Sequence, residues 1–204
     1  MARMDSSAPQ YTNPVAFSRL KNVDQTVDWS REAIREAREE NITISADFTT
    51  MVITNTLFVR TTTPQSTLHI GSYWEDDSSI YGPYDIEGAY THQEFFVDNS
   101  SMFLRLNLPD EAAVHRVSYK YRVTSTTPLP QSSVTTLMSW PLRLYTCNLT
   151  FEGDVPEKIT WTVTHQNEGG SKKNVVTQEL HPVGKTASIS YNDVPRGESV
   201  LTWQ

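Results

Sequence analysis

Cysteine is nearly missing from this chain: Cys147 is the single thiol among 204 residues. One thiol excludes an intramolecular disulfide, and with it the small secreted scaffold that depends on such bridges, so a reducing compartment is expected. Long apolar runs are missing as well. No window approaches eighteen uninterrupted apolar residues, and the opening Met1-Ala-Arg-Met-Asp-Ser-Ser-Ala-Pro9 has no leader-like apolar stretch, so the expectation is no membrane span and a cytoplasmic protein. Positive charge is short: 17 Lys and Arg against 24 Asp and Glu leave a formal charge of -7. That balance excludes a broad basic face, and weak contact at most is expected with nucleic acid.

Two further absences narrow the chemistry. His69, His92, His115, His165 and His181 are scattered singly, with neither HxxxH nor HExxH spacing, so no metal and no cofactor is expected. Glycine is sparse, and the one adjacent pair, Gly169-Gly170, has no helix after it to receive a phosphate. No catalytic signature remains, and the chain is read as a non-enzyme.

Aromatics are plentiful: 5 Trp, 9 Tyr and 7 Phe, within a hydrophobic content of 37%, require a packed interior. Residues 1–26 carry Pro9 and Pro14 among small polar residues and read as an extended arm whose Tyr11, Val15, Phe17 and Leu20 need a surface to cover them. The run Asp28-Trp-Ser-Arg-Glu-Ala-Ile-Arg-Glu-Ala-Arg-Glu-Glu40 predicts one peripheral helix, with Asp28 as N-cap and Trp29, Ala33 and Ala37 as a narrow apolar stripe. Residues 27–204 are expected to form a single domain.

From Asn41 the apolar period changes to two. Ile42 and Ile44, then Met51, Ile53, Leu57 and Val59, then Leu68 and Ile70, then Met102, Leu104, Leu106 and Leu108 predict one-faced strands. The cleanest alternation sets His115, Val117, Tyr119, Tyr121 and Val123 against Arg116, Ser118, Lys120 and Arg122. Tyr145, Cys147, Leu149 and Phe151, then Ile159, Trp161 and Val163, then Ala187, Ile189 and Tyr191 complete about ten strands. Asn167–Asn174 predicts a hairpin, and Ser125–Thr136 a Ser/Thr/Pro loop. Cys147 shares its face with large apolar residues, where burial suppresses thiol reactivity.

Residues 72–90 mix aromatics with carboxylates. Tyr73, Trp74, Asp76, Asp77, Tyr81 and Tyr84 are the candidate binding residues there, because flat rings pack on sugars while carboxylates accept hydroxyl hydrogens or hold calcium. Capping of one end of the fold by the same residues is the plainer account. Three N-x-S/T sequons begin at Asn41, Asn99 and Asn148 and read as coincidences in a Ser/Thr-rich chain.

The order of polar arm, charged helix and long run of strands resembles β-sandwich structural proteins of viruses, of coat or matrix type. The resemblance implies assembly, with the virion as a location. Its arm departs from the basic arms of coat proteins that neutralise packaged RNA, since it sets Arg3, Arg19 and Lys21 against Asp5 and Asp24. The expected fold is a mainly β, antiparallel sandwich, Greek-key or jelly-roll-like. The expected function is a self-associating structural subunit, a homo-oligomer that uses Tyr11, Val15, Phe17, Leu20 and Trp29 for assembly. A carbohydrate-binding or adhesion module, with a glycan as partner, is the alternative.

Overall fold

The computed structural model describes residues 33–61, 63–73, 78–97, 101–126, 134–138, 141–166, 172–195 and 197–203. Thirteen strands account for most of them: β1 (Ile34–Ile44), β2 (Thr50–Arg60), β3 (Thr67–Tyr73), β4 (Ser78–Gly88), β5 (His92–Val97), β6 (Ser101–Asn107), β7 (Val114–Ser125), β8 (Val134–Met138), β9 (Leu142–Phe151), β10 (Ile159–Gln166), β11 (Lys172–Leu180), β12 (Thr186–Val194) and β13 (Gly197–Trp203). The protein is mainly β, and no helix appears among the described residues. None there is long and apolar enough to cross a membrane.

The strands form a six-stranded sheet in the order β12-β9-β1-β2-β7-β4, a four-stranded sheet β11-β10-β13-β8 and a three-stranded sheet β3-β6-β5. Two-residue periodicity decides which side chains go inward. On β7, His115, Val117, Tyr119, Tyr121 and Val123 are buried while Arg116 and Arg122 are exposed, as alternation on a half-buried strand requires. One hydrophobic cluster takes residues from all three sheets. Its aromatic part joins the four-stranded sheet to β9 and β12: Trp161 stacks on Tyr145 at 6.4 Å and meets Tyr191 edge-on at 5.4 Å, and Phe151 meets Trp203 edge-on at 6.3 Å. The Trp161 Nε1–H donates to Ser199 Oγ at 2.7 Å, which satisfies the one polar group of this fully buried ring. The three-stranded sheet is tied to the six-stranded one by Ser72 Oγ donating to Tyr121 OH at 3.1 Å and by Ala33 N–H donating to Thr67 O.

Three sequence expectations are corrected. The helix over 28–40 is not present where it is described: residues 34–40 belong to β1, while 28–32 lie outside the described residues. Ala, Arg and Glu favour helices, but propensity is a small term that tertiary pairing overrides. Here β1 is hydrogen-bonded on both sides, antiparallel to β2 and parallel to β9, so a helix over 34–40 would forfeit two ladders. That parallel β1–β9 pair is the second correction, since a wholly antiparallel arrangement was expected. The third concerns residues read as capping one end of the fold or as a loop. Ser78–Gly88 is β4, and Val134–Met138 is β8, which shortens the Ser/Thr/Pro loop at its end. Residues 127–133 and the hairpin tip at 167–171 lie outside the described residues, although β10 and β11 pair antiparallel as the hairpin requires.

Candidate functional site

Of the six candidate binding residues, Trp74, Asp76 and Asp77 lie outside the described residues, and Tyr73 closes β3 opposite Ser101. Tyr81 and Tyr84 are brought together on β4. Three residues apart, they would face opposite ways on a regular strand; the register shift between them against β7 puts both on the outer face. Each ring already holds a cation, Arg122 at 4.8 Å from Tyr81 and Lys120 at 5.8 Å from Tyr84. Lys120 also reaches Asp85 at 3.4 Å. The result is a surface lattice of aromatic, basic and acidic groups, in which one face of each ring is occupied by a neighbour in the chain.

The densest polar constellation is one that periodicity cannot reveal. On the inward face of β1, Arg38 Nη2 meets Glu40 Oε1 at 2.5 Å, and Arg38 Nε donates to Asn55 Oδ1 at 3.1 Å. Tyr145 OH donates to Glu40 Oε2 at 2.6 Å. Glu40 and Asn55 are buried. Burial works against the charged form of Arg38, but Glu40, with Tyr119, Tyr145 and Tyr121, more than restores it, so its pKa is raised. Burial, then the Glu40 charge, holds the Tyr145 hydroxyl and the Cys147 thiol protonated well beyond their ordinary ranges. Arg38 is thus favoured in its charged form, and Tyr145 and Cys147 in their protonated forms. These groups are built to hold β1, β2 and β9 in register, and the thiol is no nucleophile at neutral pH.

An open cavity of about 370 Å³ lies where β1 begins and β12 ends, over a floor that includes Leu142, Val194 and Pro195. Its rim is an ion-pair relay: Glu36 accepts from Arg60 Nε at 2.5 Å and from Arg143 Nε at 2.9 Å. Glu36 is the extra residue of the bulge between Arg35 and Ala37, which is what turns it outward to meet both guanidiniums.

The remaining candidates disperse. Tyr11, Val15, Phe17, Leu20 and Trp29, the assembly residues, lie outside the described residues. His69 and His115 are buried and the other three histidines exposed, and among the described residues no group of three or more metal-ligating side chains forms. Two sequon asparagines meet on the outer sheet face, where Asn148 Nδ2 donates to Asn41 Oδ1 at 2.9 Å. Each is engaged with the other.

No protein-family model matches the sequence, and no curated protein matches it. Solved structures are similar over part of their length. Yeast LTA4 hydrolase in complex with bestatin matches over 98% of this chain and 31% of that one, with a TM-score of 0.51 and 9% identity. An M1 zinc metallopeptidase from Deinococcus radiodurans matches over 85% of this chain and 42% of its own, with a TM-score of 0.45 and 10% identity. The pilus backbone protein RrgB of Streptococcus pneumoniae matches over 81% of this chain and 50% of its own, with a TM-score of 0.39 and 9% identity. This chain therefore spans half or less of each of these structures, and at such identity the likeness to the hydrolase is one of fold alone.

Proposed function

We propose that this chain is a non-enzymatic structural subunit that self-associates, folded as a β-sandwich over residues 27–204 and serving as a coat- or matrix-type building block. The sandwich reading is supported by the ring contacts of Tyr145, Trp161, Phe151 and Trp203 between the six- and four-stranded sheets, and by the single cluster running through all three sheets. The functional reading rests on where apolar surface is exposed. Phe95 at 58% lies on β5, Val175 at 45% on β11, and Tyr81 and Tyr84 on β4, all strands at the edge of a sheet. Exposed apolar side chains of this kind are surface that association between copies would cover.

Light scattering on the full chain across a concentration series tests this. The expected mass is a multiple of 23.2 kDa, and deleting residues 1–26 is expected to lower the number of subunits, because the arm's Tyr11, Val15, Phe17 and Leu20 supply surface to bury. A monomer at every concentration, 23.2 kDa for the full chain and correspondingly less without the arm, would overturn the proposal.

A further inference from the structure

We infer that the free edge of β12 is a two-fold interface, at which a second copy of this chain adds its own β12 antiparallel and extends the six-stranded sheet across both molecules. This rests on the self-association reading and names the strand that carries it. The first ground is the contrast among edges. β4 carries Pro83, two register shifts and Asp85 in the left-handed region, β11 carries Lys173 and a bulge, β5 carries His92 and Glu94, β8 is five residues long, and β3 has its outward Thr67 and His69 carbonyls taken by the Ala33 N–H and by Arg35. These are the devices by which edges resist pairing. β12 reads Thr-Ala-Ser-Ile-Ser-Tyr-Asn from 186 to 192, seven residues without charge, proline or bulge before Asp193, in the left-handed region, marks its end, and its only hydrogen-bonded strand neighbour among the described residues is β9.

Hydrogen-bond direction supplies the second ground. Thr186 exchanges both of its main-chain bonds with Val183, at 2.8 and 3.2 Å, so its N–H and C=O point away from β9. Alternation along an antiparallel strand then turns those of Ser188, Ser190 and Asn192 the same way. All three residues are exposed. A two-fold axis at Ser190 pairs Ser188 of each copy with Asn192 of the other and Ser190 with its equivalent, for about six intermolecular main-chain bonds.

The third ground is shape. Val183, at 82% exposed, stands at the start of the edge, and the cavity floored by Leu142, Val194 and Pro195 opens at its end. Antiparallel pairing centred on Ser190 carries the Val183 turn of each copy to the Val194–Pro195 end of the other. A projection and a recess at opposite ends of one strand satisfy an isologous contact twice.

Three variants in the full-length protein test the assignment by light scattering, with thermal melting as the control for folding. Ser190→Pro removes an N–H that points away from β9, so the fold is retained while the edge loses its central bond. Ser190→Lys sets two ammonium groups against each other across the axis, and Val183→Ser removes the apolar projection that meets the recess. The expected result is a two-fold lower mass for each variant that melts like the wild type. Folded variants with the wild-type mass would overturn the β12 assignment and leave self-association standing by another surface. A wild-type protein that stays monomeric throughout would overturn both.

Discussion

Arg38 and Glu40 form a pair that is costly to break from one side. Removing the carboxylate in Glu40→Ala leaves Arg38, 16% exposed, without its charge partner and Tyr145 without its acceptor. A loss of about 3 kcal/mol is expected, at the low end for a buried pair because Arg38 retains some water. The double variant Arg38→Met/Glu40→Leu should recover part of it, since the unpaired charge is gone while Tyr145 and Asn55 still lose a partner. Urea midpoints of the two variants check this, and a double variant no better than Glu40→Ala would show that the pair itself is needed. The neighbouring phenols and thiol give a pH signature. Burial, chiefly, raises the pKa of Tyr119, Tyr121, Tyr145 and Cys147 in the fold above the ordinary 10.0 and 9.0. Below those ordinary values all four are protonated in both states and their contribution is complete. Above pH 9 the unfolded chain ionises first and stability falls toward the raised folded values. Melting temperatures between about pH 7 and about pH 11 should therefore decline steeply only on the alkaline side of pH 9.

At the scale of elements, glycines sit where strands come too close for a side chain. A Cβ on Gly197, whose φ is +153°, would stand 1.8 Å from Thr164 O, because β13 starts there against the end of β10. Gly184, in the turn before β12 at φ +61°, has nothing within 4 Å. Gly197→Ala must displace backbone and should cost about 3 kcal/mol or more. Gly184→Ala pays only for left-handed backbone, about 1 kcal/mol. Denaturation midpoints of both variants decide the order, and an equal loss would mean that β13 can shift to make room. β1 carries a related lesson. Its Arg/Glu sequence is tolerable in a central strand because the bulge at Glu36 sends one carboxylate outward to Arg60 and Arg143 while Glu40 turns inward to Arg38.

For the molecule as a whole, far-UV circular dichroism should show strand as the dominant signal, with helix below about 20%. Nucleic-acid binding is limited by where cations lie. Arg116, Lys120 and Arg122 share the outer face of β7, but Lys120 and Arg122 already engage Asp85, Tyr84 and Tyr81, and Lys172 and Lys173 belong to the edge of a different sheet. Few phosphates are neutralised by such a surface, each contributing about 0.9 to the salt slope on a duplex and about 0.7 on a single strand. Fluorescence anisotropy with a labelled single strand should detect weak binding at low salt and none at physiological salt. Submicromolar affinity at the higher salt would instead favour genome packaging.

The sequence by itself determined the strands whose two faces differ. β2, β6, β7, β9 and β12 alternate apolar with polar residues because one face meets the core and the other meets water, and that contrast is written locally. It also determined that Cys147 is buried, since its strand neighbours at 145, 149 and 151 are large and apolar. Only the tertiary structure decided the fate of residues 34–40, where local propensity favours a helix and two neighbouring ladders impose a strand. It alone made β4 out of a Gly-Pro-containing acidic stretch, by placing that stretch at a sheet edge where proline and bulges are tolerated. And it alone assembled Arg38, Glu40, Asn55 and Tyr145, drawn from β1, β2 and β9, because a buried charge is stable only beside partners that fold topology, not sequence spacing, brings within reach.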